Sequence, residues 1–342
     1  MGSVLFMILT RGAFMGLLSW LSNSSRVKKA MYSEERRHFH KLESAFDSMM
    51  HAQKDYGDFL KSARRIFVKD AGLSDHKKEE LHRIAHAHVS AVHLLQMAVF
   101  DLNYDAQVEQ GLIDKVFVEA TGVFPGQVAF ILKNDLDKRL LSHDRDRILR
   151  EISKVEIEVR DRLSSASGSG QFRHVSKEDI GRDPKLQRLY EEDLLFEGMM
   201  NETDEFLVRE KRDLSAVRSA FVSMKNAQDD FFGSGFYGRL LSDKEKSRLY
   251  DISIAHSKAV CEISAKTIDL CIWADACQRM MDSLHVKLFG KNAVKEARLR
   301  AKQLDDDLEM LDKARFEKQV IVKVEELSAQ EQRGVTAVRR VA

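Results

Sequence analysis

A chain of 342 residues with two prolines, 8% aromatic and 32% charged residues has a helical, near coiled-coil composition, and on length it accommodates about two domains. The net charge of +1 excludes little, because 55 basic and 54 acidic residues can still be unevenly distributed. The three cysteines, Cys261, Cys271 and Cys277, fall in one predicted helix without CxxC spacing; this argues against a disulfide framework or a zinc site and for reduced thiols in a cytosolic protein.

Residues 1–31 contain no acidic residue, and Val4–Leu21 is apolar except for Thr10, Arg11, Ser19 and the small residues Gly12, Ala13 and Gly16. That approaches the ~18 residues of a membrane span. Three readings compete. The segment is a transmembrane anchor, with Arg26, Lys28 and Lys29 holding the body in the cytosol. It is a cleaved signal peptide, although the leading end lacks a basic region. Or it is an interfacial helix, favoured by Arg11, Ser19, Ser22 and the basic end, inserting Phe6, Leu9, Phe14, Leu17, Trp20 and Leu21 into lipid. The bland alternative is a segment packed on the protein's own body. Phe6 stands where myristoylation expects Ser or Thr.

From Ser33 to about Lys69 the pattern is helical. Leu42, Phe46, Met49, Gln53, Tyr56, Leu60, Ala63 and Phe67 recur at alternating four- and three-residue steps, the period of a helix packed along another helix. Within it Ser44–Tyr56, SAFDSMMHAQKDY, returns as Ser219–Phe231, SAFVSMKNAQDDF, at an offset of 175. The match resumes at an offset of 168, pairing Leu73-Ser74-Asp75 with Leu241-Ser242-Asp243, His88 with His256, Gly122 with Gly290, and Asp144 and Arg147 with Asp312 and Arg315. The chain is an internal duplication whose halves should fold alike. Its predicted organisation is an N-terminal membrane segment (1–31), a first helical repeat (32–163), a flexible loop (164–183) and a second repeat (184–342).

Ala71-Gly72 ends the first helix, and Ser74 or Asp75 can cap the next, which the pattern extends to about Leu163. Gly122 and Pro125 in its middle predict a kink, and Gly290 predicts the same in the second copy. Residues 164–183 are Gly/Ser-rich and read as a mobile loop. Asp183-Pro184 then reads as an N-cap followed by proline at the first helical position, opening a helix to about Phe232. Its series Leu207, Leu214, Val217, Phe221, Met224, Gln228, Phe231 is interrupted by the charged Glu210–Asp213. A last long helix runs from about Asp243 to about Gln332.

Lys287, Lys291, Lys295, Arg298 and Lys302, at steps of four, four, three and four, lie within roughly an 80° arc of one helix. Such a stripe suits anionic lipid headgroups, a nucleic-acid backbone or an acidic partner; the bland reading is a solvated helix face. The first copy does not repeat it; Lys138 and Arg139, with Arg145, Arg147 and Arg150, form its nearest basic cluster, offset by Asp137, Asp144, Asp146 and Glu151. Glu79-x-x-His82 has the spacing of carboxylate-bridged di-metal proteins, but Tyr250 and Ile254 replace His82 and His86 in the second copy, so no metal is expected. No cofactor is expected either. No phosphate loop, GxSxG, HExxH or kinase signature is present, which makes an enzyme the least favoured class.

Phe124-Pro125 followed by Leu136–Arg147, LDKRLLSHDRDR, with its ending repeated in Leu304–Arg315, LDDDLEMLDKAR, resembles the second helix of amphiphysin-type members of the BAR-domain superfamily. There an F-P pair precedes a basic, leucine-containing run ending in D-x-x-R. The apolar segment before the first body helix is similar to the inserting helix of N-BAR proteins. The resemblance implies an all-α, elongated, antiparallel coiled-coil-like bundle of long kinked helices, arranged as two tandem BAR-like repeats. It implies a non-enzymatic membrane scaffold or curvature-sensing protein, cytoplasmic and peripheral on or anchored to a membrane, whose partners are anionic lipids. It also implies self-association, as a pseudo-dimer within the chain or as a homodimer. Lys287, Lys291, Lys295, Arg298, Lys302, Lys138 and Arg139 are the expected lipid contacts, and no nucleic acid is expected. A BAR monomer has three long helices, whereas the second copy ends after its second, so the 184–233 helix has to serve both. The alternative reading is a coiled-coil adaptor or cytoskeletal protein that binds other proteins and is membrane-anchored by its N-terminus.

Overall fold

The computed structural model describes the backbone of residues 2–68, 74–122, 125–165, 177–234, 236 and 241–341. Side chains are described over 32–66, 74–122, 127, 130–164, 180–234, 236, 241–290 and 293–327. The elements are α1 (Gly2–Val68), α2 (Asp75–Thr121), α3 (Pro125–Arg139), α4 (Arg145–Ser165), α5 (Lys177–Arg182), α6 (Pro184–Gly233), α7 (Asp243–Phe289), α8 (Lys291–Leu308) and α9 (Lys313–Val341), with a 3-10 turn over Glu309–Leu311. The protein is an all-α bundle, without a strand among the described residues.

The seam read from the sequence is the buried stripe of α1: Leu42, Phe46, Met49, Gln53, Tyr56, Leu60 and Ala63 are all at most 3% exposed, while the Phe67 side chain lies outside the described residues. The matching stripe of α6, from Leu214 to Phe231, is buried as well. Helices α1 and α6 run antiparallel, since Glu35 meets Gln228, Gln53 meets Glu210 and Arg64 meets Asp193. Helices α2 and α7, each about 70 Å long, also cross antiparallel: His88 meets Gln278, Asn103 meets Thr267, and Gln110 meets Ser253. Each fully buried Leu or Phe stabilises this arrangement by about 1.5–3 kcal/mol, and one core cluster joins side chains of α1, α2, α4, α6, α7 and α8.

The last helix of each repeat crosses to the other. Helix α4 packs on α7 and α6, and α9 packs on α2 and α1. Gly198 of α6 admits Leu163 of α4, and Gly111 of α2 admits Val324 of α9: a Cβ added at either glycine would lie 2.5 or 2.6 Å from the facing methyl. The two repeats therefore share one interior.

Element boundaries follow the duplication, α2 and α7 being displaced by the same 168 residues at both ends. Ser74 caps α2 by accepting from the Lys77 N–H, and Ser242 caps α7 with a full capping box to Glu245. Asp183 caps α6, accepting from the N–H groups of Lys185 and Leu186, with Pro184 in the first turn. Both glycines expected to kink a helix end one instead: Gly122 at φ 79° and Gly290 at φ 67°, conformations that a Cβ disfavours.

Four expectations are corrected. The two very long helices are each divided in three, because after the glycine break there is a second one, at Leu140–Asp144 and at Glu309–Asp312. There Asp144 and Asp312 are N-caps, accepting from the N–H groups of Arg147 and Arg315 at 3.0 and 3.2 Å; the recurrent D-x-x-R element has a local capping role. The charged stretch of α6 does not interrupt the seam, since Glu210 and Asp213 are themselves buried, partnered by Gln53 and by Trp273 of α7. Helix α1 continues without a break from Gly2 rather than starting at Ser33. Within the predicted loop, α5 buries Ile180, and residues 166–176 lie outside the described ones.

Candidate functional site

Helix α8 is short, and its inner and outer faces differ in chemistry. Inward it buries Ala293, Arg300, Leu304 and Leu308. Its carboxylates on the flanks are engaged: Glu296 with His82 at 3.1 Å, Asp305 with Arg279 at 2.7 Å and Asp307 with His93 at 2.7 Å. Outward stand Lys295, Arg298 and Lys302, all exposed and without an ion-pair partner among the described residues. Leu299 lies among them, 70% exposed. Three of the four carboxylates of the helix are thus engaged on its flanks, while Asp306, one turn beyond Lys302, is exposed on the outer face; that face carries three cations, one carboxylate and Leu299, although the helix itself is nearly balanced in charge.

The other expected lipid contacts scatter. Lys287 is exposed in the last turn of α7, beyond the Gly290 break, where it favours the helix dipole. Lys291 opens α8, and its side chain lies outside the described residues. Lys138 is exposed on α3 and 3.7 Å from Asp135. Arg139 is not at the surface: it is 6% exposed, donating to Asp114 at 3.0 Å and to Gln107 at 2.9 Å, so it belongs to the interior and cannot face a headgroup. The side chains of Phe6, Leu9, Phe14, Leu17, Trp20 and Leu21 lie outside the described residues. Among the described residues no helix is long and apolar enough to cross a membrane.

Helix α3, the counterpart of α8, exposes Phe130 at 72% and Ile131 at 36%, and Leu141 follows at 62%. Ile131 occupies the place of Leu299 at the 168-residue offset. Both copies therefore present a large apolar residue on the helix after the glycine break.

The recurrent histidines build two matching interior networks. His88 Nδ1 donates to Gln278 Oε1 at 2.8 Å, Gln278 Nε2 donates to Asp282 at 3.2 Å, and Arg300 donates to Asp282 at 2.8 Å. In the other half His256 Nδ1 donates to Gln110 at 2.6 Å, Gln110 to Asp114 at 2.5 Å, and Arg139 to Asp114. Burial pushes both imidazoles down to about 4, so they are neutral parts of the packing. The same offset relates Gln110 to Gln278 and Asp114 to Asp282, so the recurrence of the network is written in the sequence.

Near Gly290 three helices meet at His82, His285 and Glu296, beside Lys78, Glu79, Leu288, Phe289 and Ala293. His285 is pushed down to about 4, first by burial and then by the neighbouring Arg300.

Compared with protein-family models, curated proteins and solved structures, the chain matches none.

Proposed function

We propose that the protein is a non-enzymatic helical scaffold that docks peripherally on anionic membranes, with α8 as its principal contact and the N-terminal part of α1 as a second. The carrying observation is the outer face of α8, where Lys295, Arg298 and Lys302 line one side of the exposed Leu299 and outnumber the one exposed carboxylate there, Asp306. Each basic residue near an anionic surface contributes about 1 kcal/mol, and burying Leu299 among headgroups adds about 0.8 kcal/mol per CH₂. The resemblance of the chain to BAR domains and the apolar run in residues 4–21 support the same reading. The rigid body comes from antiparallel helices sharing one core, so curvature sensing follows as the function of a stiff docked shape. The adaptor reading draws on apolar side chains exposed elsewhere, such as Val208 at 67% and Val222 at 58%.

Vesicle co-sedimentation of the full chain tests this, comparing wild type with Lys295→Glu/Arg298→Glu/Lys302→Glu on anionic and neutral vesicles. Removing three attractive contacts predicts a loss of about 3 kcal/mol, roughly two orders of magnitude in partitioning. Raising salt should weaken wild-type binding in the same direction. Binding unchanged by reversal and salt would refute α8 as the contact and favour the adaptor.

A further inference from the structure

We infer that His82, His285 and Glu296 form a site for a divalent transition-metal ion of the zinc class, which staples α8 to α2 and α7 across the Gly290 turn. One ligand atom from each residue lies within 4.8 Å of the others. His82 Nδ1 is 3.1 Å from Glu296 Oε2, and the two imidazole rings are 5.8 Å apart. Two imidazoles and a carboxylate are a zinc-type donor set that leaves the fourth position to water. Bond lengths near 2.1 Å bring tetrahedral ligand atoms to about 3.4 Å of each other, a contraction within reach of the exposed His82 and Glu296 side chains.

The duplication separates this site from ordinary packing. At the equivalent junction in the other half, Tyr250 replaces His82 and Phe117 replaces His285, and those rings lie 5.7 Å apart. The fold is thus closed by an aromatic pair in one copy, at nearly the same separation. Packing does not require histidine here, and Glu296 faces the imidazoles where the first copy has Val128. Lys78, on the same groove, is held by Asp75 at 2.9 Å. Arg300 is the opposing group, its Nη2 donating to His285 Nδ1 at 3.2 Å. A metal on Nε2 requires the ring proton on Nδ1, and a metal on Nδ1 takes the place of Arg300. Either way the guanidinium falls back on Asp282, to which its Nε already donates at 2.8 Å.

The test is titration of the full chain with Co²⁺, a spectroscopic probe for zinc sites, followed by competition with Zn²⁺. Wild type should bind one Co²⁺ per chain with visible absorption of a four-coordinate ion, released by Zn²⁺, and Zn²⁺ should raise its melting temperature. His82→Tyr/His285→Phe recreates the aromatic pair of the other half and should lower metal affinity by more than about 100-fold, beyond the 10–100-fold lost with an outer-shell partner. Glu296→Gln, on an exposed side chain, should weaken binding with the helical circular dichroism intact; it decides the matter alone if the double variant does not fold. Weak sites at other exposed histidines are common to all three proteins. Co²⁺ affinity equal in wild type and variants, or absence of a stoichiometric site in wild type, would overturn the proposal.

Discussion

Glu210 is a carboxyl group in the middle of the packed seam, fully buried and accepting from Gln53 Nε2 at 2.9 Å. Burial, countered by that hydrogen bond and reinforced by Asp213, pushes it up to about 8. The folded chain then keeps a proton that the unfolded chain releases near 4.5, so this group's contribution to stability falls as pH rises from about 4.5 to about 8. Glu210→Gln retains the acceptor and removes the ionisation. Its unfolding free energy should match wild type near pH 5 and exceed it increasingly toward pH 8, by on the order of a few kcal/mol at the upper end; a difference independent of pH would be the contrary result in a denaturation series. His88 and His256 act on the other limb. With folded values near 4 and an unfolded value near 6.5, they take stability away as pH falls from 6.5 to 4. In the sequence Glu210 looked like an interruption of the heptad pattern. Its partner is 157 residues away on the other repeat, and no local pattern carries that information.

The helices themselves were legible wherever their causes are local. Ser74, Ser242 and Asp183 cap the helices they precede, and the stripe of α1 is buried at the spacing read from it. The second break in each repeat is hard to see in the sequence because neither glycine nor proline marks it; only the cap at Asp144 and Asp312 does, within the D-x-x-R element that carries the family resemblance. Of the candidate contacts, Lys295, Arg298 and Lys302 were placed on one outer face by helical spacing alone. The interior place of Arg139 is not legible from helical spacing, because its partner Asp114 sits on another helix. The glycine breaks give an element-scale prediction. An added Cβ meets nothing within 4 Å at Gly122 or Gly290, so alanine there costs backbone energy only. Gly122, at φ 79° and ψ 24°, should lose about 1–2 kcal/mol. Gly290, at φ 67° and ψ −144°, lies farther from any conformation open to L-residues and should lose more, up to about 3 kcal/mol. Denaturant midpoints with unchanged slopes would report this; Gly290→Ala as stable as wild type would mean that α7 and α8 are joined differently.

At the scale of the molecule, the duplication yields one interior because each repeat sends its last helix onto the other. That interlock stiffens a bundle whose central helices α2 and α7 are about 70 Å each and holds α8 against two neighbours, with Lys295, Arg298 and Lys302 outward. Docking through α8 requires Leu299 to leave water when the protein is on a membrane. The most direct measurement places an environment-sensitive fluorophore on Leu299→Cys in a Cys261→Ser background, since Cys271 and Cys277 are buried. A second protein carries the label at Val222→Cys on α6 as a control. With anionic vesicles the label at 299 should shift to the blue and be quenched by spin-labelled lipid, while the label at 222 stays aqueous. A vesicle-bound protein whose residue 299 still reports water would contradict the account and leave membrane contact to other parts of the chain.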